Sequence, residues 1–132
     1  MSTAGVDALL FRLGSHRLAV ELHLVSSVLD ADEARGMNQL DPRPYLLGVQ
    51  GYALPDLDRG ERVGLLDVTG PPVVLVLGEV LGARTLHPGD MIGLPPWLAA
   101  FAPPVIAPAC AWVDQNVVWL LNLDTLRKTS LW

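Results

Sequence analysis

Three histidines, one cysteine and two groups of carboxylates are the side chains of this sequence best suited to hold a metal or attack a substrate. His16 falls in a turn, His23 on the polar side of a hairpin and His87 before Pro88, so a shared metal site would require three distant segments to converge. The expectation is solvated histidines and no metal. Cys110 lies between Ala109 and Ala111 with no basic neighbour to stabilise a thiolate, and it reads as a small buried side chain. Asp30, Asp32 and Glu33 begin like a calcium loop, but the glycine comes one place late, at Gly36, and the closing glutamate is missing. Asp56, Asp58 and Glu61 flank a second turn, and both groups read as carboxylates that keep loops solvated.

The sequence has no glycine loop for phosphate, no HExxH pair and no GxSxG nucleophile turn. Neither an enzymatic activity nor a cofactor is expected. Trp112 and Trp119 are more informative, because a hairpin with one face in a core leaves its other face in need of cover. They are candidate partner contacts, or else are buried between two parts of the fold.

These side chains sit on a chain of 132 residues, 51% hydrophobic and 17% charged, with ample apolar material for a core. The length fits one domain, 1–132. Nine basic residues against fourteen acidic ones leave a net charge of -5, and only Arg127 and Lys128 are adjacent cations. Such a chain repels a phosphate backbone, so no nucleic-acid partner is expected. The single cysteine and the absence of a signal-peptide pattern point to the cytoplasm. Met91 to Val113 is uncharged, but Pro95, Pro96, Pro103, Pro104 and Pro108 break any spanning helix, so no membrane insertion is expected.

The pattern is that of short strands and turns. Leu9, Phe11 and Leu13 alternate with Arg12, then Gly14-Ser15-His16-Arg17 makes a turn, and Leu18, Val20 and Leu22 alternate with Glu21. Leu13 is expected opposite Leu18, with Arg12 and Glu21 forming a weak pair on the other face. Leu24, Val25, Val28 and Leu29 have helical spacing, and a polar loop runs from Asp30 through Asn38.

Weaker strand signals cover Tyr45 to Val49 and Tyr52 to Leu57. Val63 to Val68, Val73 to Leu77 and Ala83 to Leu86 follow, the second of them apolar enough for burial on both faces. Ala109 to Val113 and Val117 to Leu121 form a hairpin around Asp114-Gln115-Asn116, a register that pairs Val113 with Val117 and sends the two tryptophans to opposite faces. Asp124 is the expected N-cap of a short terminal helix carrying Leu126.

The order of these segments resembles a CheW-like domain, the coupling module of bacterial chemotaxis. Leu10-Phe11-Arg12-Leu13-Gly14, the return strand Leu18-Ala19-Val20 and the pair Val25 and Val28 match its opening. Gly48-Val49-Gln50-Gly51 and Leu54-Pro55-Asp56-Leu57 match its centre in shortened form, with Gln50 in place of the family's arginine. Val74 to Val80 matches a run ending valine-aspartate-x-valine, with Gly78 in place of the aspartate, and Ile106 to Leu126 matches the closing strands.

The resemblance implies an all-β fold of two small five-stranded SH3-like β-barrels, intertwined halves of about 8–60 and 61–128. It further implies a noncatalytic adaptor that couples chemoreceptor signalling tips to a CheA-type histidine kinase. The receptor-binding positions carried over are Val25, Gly48, Gln50, Val80 and Gly82. Glutamine lacks the five donors of arginine's guanidinium, so a carboxylate contact at Gln50 is weakened, and the shortened centre removes further surface. Because the family holds its two partners through different faces, receptor binding is expected to be retained while direct kinase contact is weakened or lost, the second partner being the CheA-type kinase or another CheW-like protein. The residues alone also leave open a small-molecule-binding β-barrel or a self-assembling structural protein.

Overall fold

The computed structural model describes residues 5–13, 16–42, 61–67, 70–93 and 106–130. Among them the strands are β1 (Val6–Leu13), β2 (His16–Glu21), β3 (Val25–Asp30), β4 (Asn38–Leu40), β5 (Arg62–Leu66), β6 (Val73–Leu86), β7 (Met91–Gly93), β8 (Ile106–Val113) and β9 (Asn116–Leu121). One helix, α1 (Leu123–Ser130), follows, and two single 3-10 turns occupy Leu22–Leu24 and Pro88–Asp90. The strands form one mixed sheet in the order β3-β5-β6-β1-β2-β9-β8-β7, with β4 added alongside β6. The β2–β9 and β4–β6 pairs are parallel and the others antiparallel. The fold is therefore all-β with a short terminal helix.

Strand β6 ties the sheet together. Its first part pairs with β4 and β5, and its second part with β1. The sequence pattern predicts two separate strands here, because Gly78 and Gly82 interrupt the apolar run. In the structure one strand passes through both glycines, which take φ values of +68° and +132°. A Cβ on Gly78 would lie 2.6 Å from the carbonyl oxygen of Arg12 and 2.8 Å from Leu13 Cδ2. Glycine is thus required where the strand passes closely over β1.

Alternation along β1 and β2 fills two cores from opposite faces. Leu9, Phe11, Leu13, Leu18 and Val20 enter the larger one, with Leu75, Leu77 and Leu126. Ala8, Leu10 and Ala19 enter a second with Leu86, Val113 and Val118. These strands are interior to the sheet, so both faces are covered and polar side chains appear only toward their ends. The expected burial of Val73 to Leu77 on both faces holds for Val74, Leu75, Val76 and Leu77, which are fully buried. Segments of the expected first half, β1 and β2, pair with β6 and β9 of the second.

Both hairpin registers differ from the sequence expectation. Leu13 pairs with His16 and Phe11 with Leu18, a two-residue shift that leaves every side chain on its expected face. Arg12 consequently pairs with Glu79 of β6, and Glu21 lies 3.4 Å from His23 instead. The β8–β9 turn has two residues and not three: Asp114 and Gln115 both have positive φ, +49° and +65°, as a type I′ turn requires. This one-residue shift pairs Trp112 with Val117 and Cys110 with Trp119. The two tryptophans therefore share one face of the sheet, contrary to the expectation.

The helical spacing of Val25 and Val28 has a different origin. The segment is a strand with a bulge between Val25 and Ser27, where the Ser26 hydroxyl donates to the Leu65 carbonyl at 3.1 Å. Val25 pairs with Leu66 and Val28 with Gly64, so the extra residue puts two side chains three apart on one face. The N-cap of α1 is Asn122, not Asp124: its side-chain oxygen accepts from the Thr125 amide at 3.1 Å. Asp124 lies within the first turn and pairs with Lys128 at 3.0 Å. The short strand β4 arises where the sequence pattern predicts loop.

Replacing Gly78 with alanine is expected to lower unfolding stability by about 2 kcal/mol or more, from left-handed strain and the contact with the Arg12 carbonyl. The check is a urea midpoint at unchanged slope. A loss below about 0.5 kcal/mol, the size of an ordinary surface substitution, would contradict the close crossing.

Candidate functional site

The groups with chemical potential are not gathered together. His16 opens β2, His23 lies in the first 3-10 turn, and His87 precedes the second, where its backbone N–H donates to the Asp90 carboxylate at 3.0 Å. Asp30 is paired with Arg62 and Asp32 with Arg35, so these carboxylates face guanidinium groups. Among the described residues no group of three His, Cys, Asp or Glu side chains is placed to hold a metal ion. Asp56 and Asp58 lie outside the described residues. Cys110 is buried between β7 and β9, and desolvation pushes its thiol pKa up, which disfavours the thiolate a nucleophile would need.

The positions with surface potential are better placed. Val25 is half-buried at the start of β3 and packs against the larger core. Its Cγ1 lies 3.0 Å from where a Cβ on Gly64 would stand, so the missing side chain of Gly64 makes room for it. Val80 is half-buried on β6, beyond the Gly78 crossing, and packs against the same core. Two valines from distant strands thus meet one apolar interior from its margin.

Gly82 is placed differently. The register slips between Leu10 and Phe11, so that Val80 pairs with Phe11, Gly82 with Leu10, and Leu81 is left unpaired and exposed. Phe11 belongs to the larger core and Leu10 to the second, so the bulge sets Val80 and Gly82 toward opposite faces. Gly48 and Gln50 lie outside the described residues.

Trp112 is 51% exposed, whereas Trp119 is half-buried against the larger core. Register places Ile92 beside Cys110 and Val117 beside Trp112, on the face that carries both tryptophans. Ile92 and Val117 are exposed as well. Sequence reading missed these two, and Val28, which is 43% exposed on the face of Val25. The alternation of β9 contained the signal for Val117, but β7 has only three residues and Ile92 had none.

No protein-family model matches the chain, and no curated protein matches it. Among solved structures the chain is similar to the scaffolding protein TtCheW from Thermoanaerobacter tengcongensis. The superposition has a TM-score of 0.66 and covers 92% of each chain at 12% sequence identity. The chain has a CheW-like fold. Among the described residues no helix is long and apolar enough to cross a membrane.

The buried Cys110 gives a direct check on this geometry. At about pH 8 its reaction with an aromatic disulfide reagent is expected to be about ten-fold or more slower in the folded protein than in denaturant. Equal rates would contradict the placement of this residue between β7 and β9.

Proposed function

We propose that this chain is a noncatalytic adaptor of a chemotaxis-type signalling system, which binds a chemoreceptor signalling tip and couples it to a CheA-type histidine kinase. The observation that carries the reading is the CheW-like fold across 92% of the chain, taken with two half-buried valines at the margin of one core. The dispersed histidines and paired carboxylates agree with binding without turnover. The two cores are read as the interiors of the two five-stranded barrels that the sequence resemblance implies, and residues 1–132 act as one unit in the cytoplasm.

In this reading Val25, Val80 and the neighbouring Val28 supply apolar contact to the receptor tip, Gly82 faces away from them, and Gly48 and Gln50 are carried over from the sequence resemblance alone. Apolar side chains of a helical tip gain by leaving water against such a margin, and the polar surroundings set orientation. Gln50 in place of arginine removes a bidentate partner for a carboxylate at the receptor contact, while the shortened centre of the chain removes surface, and a kinase contact weaker than the receptor contact is inferred from that loss. Trp112, with Ile92 and Val117, provides a second surface for the kinase or another CheW-like protein. An exposed tryptophan beside two aliphatic side chains has the composition of an interface anchor.

Val28→Asp tests the first surface cleanly, because Val28 is exposed and belongs to none of the three buried clusters among the described residues, the third being Ala34, Val63 and Val74. It is expected to weaken co-sedimentation with a receptor signalling tip about ten-fold or more, the usual cost of an unpaired charge in an interface. Val80→Asp is expected to abolish binding, with circular dichroism and a melting curve to separate lost contact from lost fold. Normal binding by Val28→Asp and by a folded Val80→Asp would show that this margin is not the receptor surface.

A further inference from the structure

A cleft lies away from the valine margin, between residues of the second core and residues of the larger one. It has a volume of about 580 Å3 and is formed by the start of β1, the ends of β2, β6 and β9, and the first turn of α1. Its apolar lining includes Ala8, Ala19, Val20, Leu86 and Leu120. Ala8 and Ala19 lie on two interior strands, and their small side chains leave room at the floor of the cleft. A second recess of about 460 Å3 adjoins it and shares Val6 and Glu21.

Among the described residues the carboxylates are the only lining groups with a permanent charge, so the two recesses are acidic. Asp7 and Glu21 line the second recess with His23, Glu21 and Asp124 line the cleft with His87, and among the described residues neither is lined by lysine or arginine. Existing partners are modest: Glu21 faces His23 at 3.4 Å, Asp124 faces Lys128 at 3.0 Å, and Asp7 accepts from the Thr85 hydroxyl at 2.7 Å. The arginines of the same strands gather elsewhere. Arg17 and Arg84 line a recess of about 320 Å3 with Gly82 and Asp114, toward the other end of β1 and β2.

We infer that the cleft is a binding site for a protein segment that presents an apolar side chain flanked by lysine or arginine. The apolar side chain enters over Ala8 and Ala19, and the cation lies at the mouth between Glu21 and Asp124. Apolar burial supplies affinity, while the exposed carboxylates select the sign of the flanking charge and make binding weaken as salt is added. The two adjoining recesses accommodate an extended segment, where a compact small molecule would use only one. The site shares no residue with Val25, Val28, Val80 or Gly82, so it stands independently of the receptor reading.

The test uses the full chain, methyl-labelled for NMR, and two synthetic peptides of equal length, one of leucine and lysine and one with glutamate replacing each lysine. The lysine peptide is expected to shift the methyl signals of Val6, Leu86 and Leu120. The double variant Glu21→Lys with Asp124→Lys weakens it about ten-fold or more, as does the change to the glutamate peptide. Asp32→Lys, on a remote loop, and Val28→Asp both leave the binding unchanged. Equal binding of the two peptides, survival of binding in the double variant, an equal loss with Asp32→Lys, or shifts confined to other methyls would each overturn the assignment.

Discussion

The passage of β6 over β1 is the constraint on which the rest of the structure depends. One strand of 14 residues serves two groups of partners, and it does so by taking a left-handed backbone at Gly78, directly above the Arg12 carbonyl. Any side chain at that point would push the crossing apart, and with it the contact between Val80 and the larger core. The aspartate of the CheW-like pattern could not stand here without moving β1. The departure from the CheW-like pattern at Gly78 is therefore tied to local packing.

From that crossing follows a division of labour between the two cores. The larger core is tightly filled by Phe11, Leu18, Leu75, Leu77 and Leu126, all fully buried, and it supports the half-buried valines at its margin. The second core contains Ala8, Ala19 and Ala111, and two of these alanines line a cleft whose other walls include Val20, Leu121 and Leu123 of the larger core. A dense interior holds surface residues in fixed positions, while a sparsely filled one leaves space for something to enter. The proposed functions use the two properties separately, the first for a flat contact and the second for a cleft.

Much of this was legible in the sequence, because period-two alternation identifies the face of a side chain even when the pairing partner is wrong. The first hairpin shows this: its register differs by two residues, yet Leu9, Phe11, Leu13, Leu18 and Val20 occupy the expected face. The last hairpin shows the limit, since a turn shorter by one residue brings Trp112 and Trp119 to a common face. Turn length depends on whether Asp114 and Gln115 accept positive φ, a preference too weak to read from residue type alone. The bulge at Ser26 disguised a strand as helical spacing, and β4 and the continuity of β6 depend on partners far away in sequence. Of the candidate site, Val25 and Val80 were visible only through the order of motifs. The acidic cleft, assembled from four separate segments, left no local trace.

The most direct test of the adaptor account is a pair of titrations of the unmodified chain, one against a receptor signalling tip and one against a kinase regulatory domain, each in isolation. Measurable affinity for the receptor tip, with binding to the kinase domain clearly weaker, is the predicted result. Kinase binding as tight as or tighter than receptor binding would contradict the account, and binding to neither would remove the adaptor reading altogether.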